Sequence, residues 1–363
     1  MIEQHARPAA ADPSHVRAQL WHAVTERDER AAAAVVVAAA DTGLSPETIL
    51  LEVIAPVQRR VGAEWAANRC TVAQEHAATA INDRAVAALA QHPASTPGPA
   101  AGRVTVACVD GEWHALPARL LTEVLRLRGW RVDFLGAQVP THHLVGHLHR
   151  HNPEAVALSS SLPTRLPTAH AAITACQATG IPVLVGGAAF GPDGRYARLL
   201  GADAWASDAP GAADALARGL RRAGAPGRSA GNLPHLADQE YTMVARTAPQ
   251  LVAATMAELE HRFAPLRNYT AAQRDRTVED LAHIVEFLAA ALYVDDDELF
   301  SGFLTWTADI LTARGVPVGS LRAALGVLAV RLEEFPRARR LLAAADDALL
   351  RADRAYPATG ATA

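Results

Sequence analysis

Glu112 and His114 are the residues of this chain whose types and spacing most clearly suggest chemistry. A neutral imidazole is the commonest protein ligand for a transition metal. A carboxylate two residues away can take the proton on the other ring nitrogen, which orients the ring and raises its basicity. The pair lies in Val109-Asp110-Gly111-Glu112-Trp113-His114, after a short run rich in β-branched residues (104–108) and before an apolar-periodic segment that starts near Leu116. The pattern predicts a strand, a loop and a helix, with one imidazole at the loop tip. The plain alternative is a solvated histidine at a strand end. Two further groups qualify. Trp65 lies between two expected helices of an N-terminal bundle, and Glu75 and His76 lie in the first turn of the next helix. Their plain alternatives are a hydrophobic plug and a solvated first turn, where acid is favoured by the helix dipole.

The elements that must position these residues follow from composition and periodicity. The chain has 363 residues, half of them hydrophobic and a fifth charged, so two or three ordinary globular domains are expected. The net charge of −4 advertises no basic face for nucleic acid. The three cysteines, Cys70, Cys108 and Cys176, lack CxxC spacing, which argues against a zinc site or a disulfide framework and for a reducing compartment. The N-terminus is unlike a signal peptide and no apolar run approaches the ~18 residues of a membrane span, so a cytoplasmic protein with no membrane partner is expected.

Two Pro-, Gly- and Ser-rich stretches, 92–102 and 223–231, read as linkers too polar to be ordered by burial. They divide the chain into 13–91, 103–222 and 235–356. The first part predicts four short helices, 16–26, 30–40, 49–61 and 71–91, with Ser45-Pro46 and Thr71-Val72-Ala73-Gln74 as helix starts. The second alternates strands (104–108, 131–135, 155–159, 182–185, 204–206) with helices, which implies a doubly wound parallel sheet. Ligands bind beyond the carboxyl ends of such strands. There stand Glu112 and His114, Gly136, Ser159-Ser160-Ser161-Leu162, and Gly186-Gly187, whose glycines let backbone approach a ligand. No GxGxxG follows the first strand, so a dinucleotide is not expected. The third part predicts helices over 237–262, 270–293, 296–314, 317–335 and 337–352: a helical bundle, with globin-like packing as the alternative. Five histidines between 142 and 151 place His143 and His147 at metal-compatible spacing, but a solvated helix face is the expectation.

The order W-x9-E-H (Trp65, Glu75, His76), E-x-H (Glu112, His114), S-x-L (Ser160, Leu162) and G-G (Gly186, Gly187) resembles cobalamin-binding modules: a helical cap followed by a flavodoxin-like domain. The cap variant resembles that of adenosylcobalamin photoreceptors. The resemblance covers residues 13–222. It implies that His114 ligates cobalt from below in place of the nucleotide base. The displaced base would enter a slot lined by Ser160, Leu162, Gly186 and Gly187. Trp65, Glu75 and His76 would cover the adenosyl group. It also implies a non-enzymatic light sensor with no catalytic residue. Two departures stand out: Pro117 replaces the family's glycine after the E-x-H motif, and Ala66 stands where some of these photoreceptors carry a histidine.

Such modules usually follow a DNA-binding helix-turn-helix, and only residues 1–12 precede the bundle. The layout of cap, cobalamin domain and a third helical part without cysteine resembles the photocobilins. That implies biliverdin bound non-covalently, with Tyr269, His283, Trp306 and Arg322 as candidates by type. His283 shares a helical face with Phe287, and Trp306 with Phe303 and Ile310. Output through a light-dependent homo-oligomer or a signalling partner is implied as well. The alternatives are a cobalamin-only photoreceptor with a C-terminal docking module, and a corrinoid methyl carrier.

Overall fold

A computed structural model describes residues 12–220 and 233–355. The second expected linker, 223–231, lies outside the described residues. Contacts divide the chain into two compact units: 1–161 with 168–228, and 162–167 with 229–363.

The first unit opens with α1 (Pro13–Thr25) and α2 (Glu29–Asp41), each started by an aspartate that caps a backbone N–H. The expected third helix is not uniform. It begins as α3 (Pro46–Thr48) under a Ser45 cap, widens to a π-helix over Ile49–Ile54 and continues as α4 (Ala55–Ala66). The cause is Pro56. It has no N–H to give and its ring crowds the carbonyl four residues back. The preceding turn therefore opens, and the Ala55 N–H reaches back to Leu50. Then α5 (Val72–Ala90) starts with the expected capping box of Thr71 and Gln74.

The stretch 92–102 proves to be ordered, against expectation. It forms a short 3-10 turn at Pro93–Ser95, and the Gly98 and Ala101 N–H groups donate to the carbonyls of Leu127 and Gly129. Backbone hydrogen bonds, not apolar burial, hold it. Gly129, at φ +89°, leaves room for the Pro99 carbonyl where any Cβ would stand.

Five parallel strands follow: β1 (Gly102–Cys108), β2 (Trp130–Gly136), β3 (Ala155–Ser159), β4 (Val183–Gly186) and β5 (Ala204–Ala206). Between and after them run α6 (Ala115–Leu127), α7 (Thr141–His151), α8 (Leu166–Ala178), α9 (Arg195–Leu199) and α10 (Ala209–Ala217). The strand order 2-1-3-4-5 is the expected flavodoxin-like one. All of β3 is buried, as helices on both faces of a parallel sheet require. The cap docks on α6: Leu116, Leu120 and Val124 join the apolar core of α1 to α5. Each such burial is worth roughly 2 kcal/mol. Arg128 adds a polar tie, reaching Glu47 of α3 and Asp214 of α10 at 2.7 Å each.

The second unit is helical, as expected: α11 (Glu240–Arg246), α12 (Ala248–Arg262), α13 (Ala271–Val294), α14 (Asp297–Ala313), α15 (Gly319–Arg331) and α16 (Pro336–Ala355). The continuous helix expected over 237–262 is broken. Gln239 adopts φ +65° and the chain restarts at Ala248-Pro249, since Pro249 cannot extend α11. Among the described residues no helix is long and apolar enough to cross a membrane.

Candidate functional site

The site lies where the strand order reverses, between β1 and β3. Glu112 is its centre and is wholly buried. One carboxylate oxygen, Oε1, accepts the His114 backbone N–H at 2.9 Å and the His114 Nδ1–H at 2.6 Å. The other, Oε2, accepts the Ser161 backbone N–H at 2.6 Å and the Ser160 hydroxyl at 3.2 Å. A buried carboxylate is stable only when its lone pairs are met in this way. With Nδ1 as donor, the neutral ring of His114 keeps its lone pair on Nε2. That nitrogen makes no hydrogen bond among the described residues, and the side chain is partly exposed. An imidazole held at Nδ1 by a carboxylate and open at Nε2 fits the lower ligand of a cobalt corrinoid.

The loops after the other strands brace this dyad. The Gln138 N–H, after β2, donates to the Glu112 carbonyl, the Ser160 N–H donates to Gly186, and the Ala189 N–H donates to Ser160. Gly187, at φ +101°, lies so near the Ser160 carbonyl that a Cβ would stand 2.2 Å from it. Its first use is thus close approach between neighbouring loops. Leu162 follows Ser161 directly and is half-buried, but it groups with the second unit. Pro117 falls in the first turn of α6, where a missing N–H costs nothing.

The cap brings His76 to the same loop. Trp65 is half-buried in the last turn of α4, inside the helix rather than between helices. Glu75 and His76 stand early in α5 as expected, with Glu75 Oε2 and His76 Nδ1 2.8 Å apart. Trp113 stacks on His114 at 4.3 Å between ring centres and lies 5.8 Å from the His76 ring. It links the cap to the dyad loop, a role that its place in E-x-H did not signal. Gln138 and the Ser161 N–H were missed as well, because backbone donors have no sequence signature.

Elsewhere the expectations separate. His142, His143, His149 and His151 are exposed, as expected, but His147 is turned in to 3.3 Å from Asp133 of β2 and stacks on His151. Burial holds its pKa below the usual value. Among the described residues no group of three or more His, Cys, Asp or Glu is placed to hold a metal ion. In the second unit Phe287 and Phe303 stack face to face at 3.7 Å, with Trp306 6.4 Å from Phe303 and 47 % exposed. His283 lies one turn before Phe287 and faces Glu286, which raises its pKa. Phe287, Phe303 and Trp306 thus place three aromatic rings side by side, with His283 exposed one turn away. Tyr269 precedes α13; from the start of that helix to His283 is roughly 18 Å of axis. Arg322 is committed to Asp346 at 2.7 Å, in an open groove of about 730 Å³ lined also by Leu325 and Arg339.

Comparison with known proteins agrees with the first unit. Family models described as B12 binding domains match residues 102–217 and residues 16–90. The chain therefore carries B12-binding domains, as a cap and a Rossmann-like sheet. It is 34% identical over 137 residues to the HTH-type transcriptional repressor CarA of Myxococcus xanthus, a match covering 36% of this chain and 44% of that protein. Its span is thus under half the length of that relative. Among solved structures, the Methanosarcina barkeri monomethylamine corrinoid protein superposes with a TM-score of 0.50 at 20% identity, over 57% of this chain and 99% of that one. This likeness concerns the fold.

Proposed function

We propose that this protein is a light-responsive cobalamin sensor, not an enzyme. In this reading His114 is the lower ligand, Glu112 fixes its tautomer, and Trp65, Glu75 and His76 cover an adenosyl upper ligand. Ser160, Gly186 and Gly187 would line the path of the displaced base. The observation that carries the reading is the buried Glu112–His114 dyad, open at Nε2 and touching the cap through Trp113 and His76. Bound adenosylcobalamin would supply a cobalt–carbon bond that light cleaves. Glu75 and His76 would then lose their contacts to the upper ligand, and the cap would repack. A differential affinity of a few kcal/mol between the two packings makes such a switch substantial.

The second unit has a role in this proposal as a biliverdin-binding module. The stacked Phe287 and Phe303, with Trp306 and His283 beside them, support it. Cys70, Cys108 and Cys176 all lie outside 235–356, so the bilin would be held without a thioether.

The test is an absorption spectrum of the protein reconstituted in the dark with adenosylcobalamin and biliverdin, before and after green light. A photolysed cobalamin spectrum with a far-red band supports both chromophores. Photolysis without bound bilin leaves a cobalamin-only sensor. No protein-dependent change on illumination, with preference for methylcobalamin, points to a corrinoid methyl carrier instead. His114→Ala is expected to abolish or greatly weaken cobalamin binding, and Trp65→Ala to keep cobalamin but lose selectivity for adenosyl over methyl. Unchanged affinity and spectrum in His114→Ala would sink the ligand assignment.

A further inference from the structure

Glu75 stands at the end of a directed chain of hydrogen bonds that runs through the inside of the cap. Its Oε1 accepts the Thr79 hydroxyl at 2.8 Å; its Oε2 faces His76 Nδ1 at the same distance, a nitrogen that also stands 3.0 Å from the Val72 carbonyl. Behind Thr79, the Gln58 amide on α4 donates to Thr79 Oγ1 at 2.7 Å. Behind Gln58, the Asn82 amide donates to Gln58 Oε1 at 2.8 Å. The direction is not free. A carboxylate only accepts, so Thr79 must give its one proton to Glu75 and must accept from Gln58. Gln58 then has only its carbonyl to offer Asn82. The order imposed at Glu75 thus propagates to Asn82, which is wholly buried. There the Asn82 Oδ1 is left with no hydrogen-bond partner among the described residues. A buried amide oxygen without a partner is costly, and a helix–helix core position is ordinarily filled by an aliphatic side chain. Local costs of this kind persist where the arrangement serves a site.

We infer that Gln58, Thr79 and Asn82 are positioning residues that aim Glu75, and that they make the cap select an upper ligand bearing hydroxyl donors, such as a ribose, over a plain alkyl group. The inference rests on the proposed cobalamin reading. Held at Oε1 by the Thr79 hydroxyl from behind, the Glu75 carboxylate is restrained in its orientation. Its remaining lone pairs are acceptors on a side chain still 25% exposed. Adjacent ribose hydroxyls can donate to such a carboxylate. A methyl group gains nothing from it.

The test measures dark dissociation constants of the full chain for adenosylcobalamin and for methylcobalamin, with Thr79→Val, Thr79→Ser and Gln58→Met beside the wild type. Thr79→Val and Gln58→Met should lower the adenosyl-over-methyl preference about tenfold, the affinity equivalent of one charge-assisted hydrogen bond, with methylcobalamin binding changed less than about twofold. Thr79→Ser keeps the hydroxyl and should keep the preference. Gln58→Met covers the case in which Thr79→Val unsettles the cap. A preference unchanged in both variants overturns the inference, as does parallel weakening of both cobalamins that serine does not rescue, since that is a packing effect. A wild type with no preference for adenosylcobalamin overturns the sensor reading itself, and the inference with it.

Discussion

Glu112 shows how much one buried carboxylate can organise. Its two oxygens hold His114 on one side and the Ser160–Ser161 loop on the other. Glu112→Gln keeps the shape, but the amide nitrogen cannot accept from either set of donors. Cobalamin affinity is expected to fall at least ~10-fold, as when other partners of metal-binding histidines are lost; spectroscopic titration measures it, and an unchanged constant would detach Glu112 from the ligand role. The partnership with His114 was legible from spacing. The bond to Ser160, 48 residues away, was not, because local pattern does not say which strand lies beside which. Cysteine reactivity is a second matter at this scale. Burial pushes the thiols of Cys108 and Cys176 up to about 12, while Cys70 is only half-buried. Alkylation of the native protein near pH 8 should label Cys70 and spare the other two, since the thiolate is the nucleophile. Mass spectrometry of the labelled peptides reads the result.

At the scale of elements, the start of α16 is tied to several other parts of the second unit. The buried Glu240 carboxylate accepts the backbone N–H groups of Arg337 and Ala338 at 3.0 and 2.8 Å. The Arg337 side chain, 13% exposed, reaches Asp238, Asp295 and the carbonyls of His235 and Leu292. Arg337→Ala removes the donor from Asp238 and from the His235 and Leu292 carbonyls, while Asp295 keeps Arg340 at 2.7 Å, and should cost about 2 kcal/mol, read by denaturant unfolding. A pH dependence follows. The Arg337 guanidinium beside Asp238 holds its carboxyl below the usual carboxylate range. A depressed folded value means that the stabilisation is complete above the unfolded value, about 3.9, and is lost as the pH falls through and below it. Melting temperatures between pH 6 and pH 3 should therefore fall more steeply for the wild type than for Arg337→Ala. Equal slopes would show that the pair carries no such linkage. The helices themselves were legible from period and caps. Their interruptions at Pro56 and Pro249 were underread, since proline marks a break without saying whether the helix kinks, widens or restarts.

For the whole molecule, the proposed sensor predicts a change of assembly. With adenosylcobalamin bound, size-exclusion chromatography is expected to give different apparent masses in the dark and after green light, and His114→Ala should give the same mass in both. One invariant mass for a photolysing wild type would remove oligomer change as the output.

Sequence alone determined the succession of elements: helices, then alternating strands and helices, then helices again. It also determined which residues stand at the strand ends and at the start of α5. Both follow from apolar period and capping chemistry, which act within a few turns of chain. Only the tertiary structure decided that Ser161 completes Glu112, that Trp113 lies between His114 and His76, and that Asn82, Gln58 and Thr79 line up behind Glu75. Most of these contacts join residues tens of positions apart. They exist because of strand order and helix docking, and those are settled by the packing of whole faces rather than by any neighbouring residues.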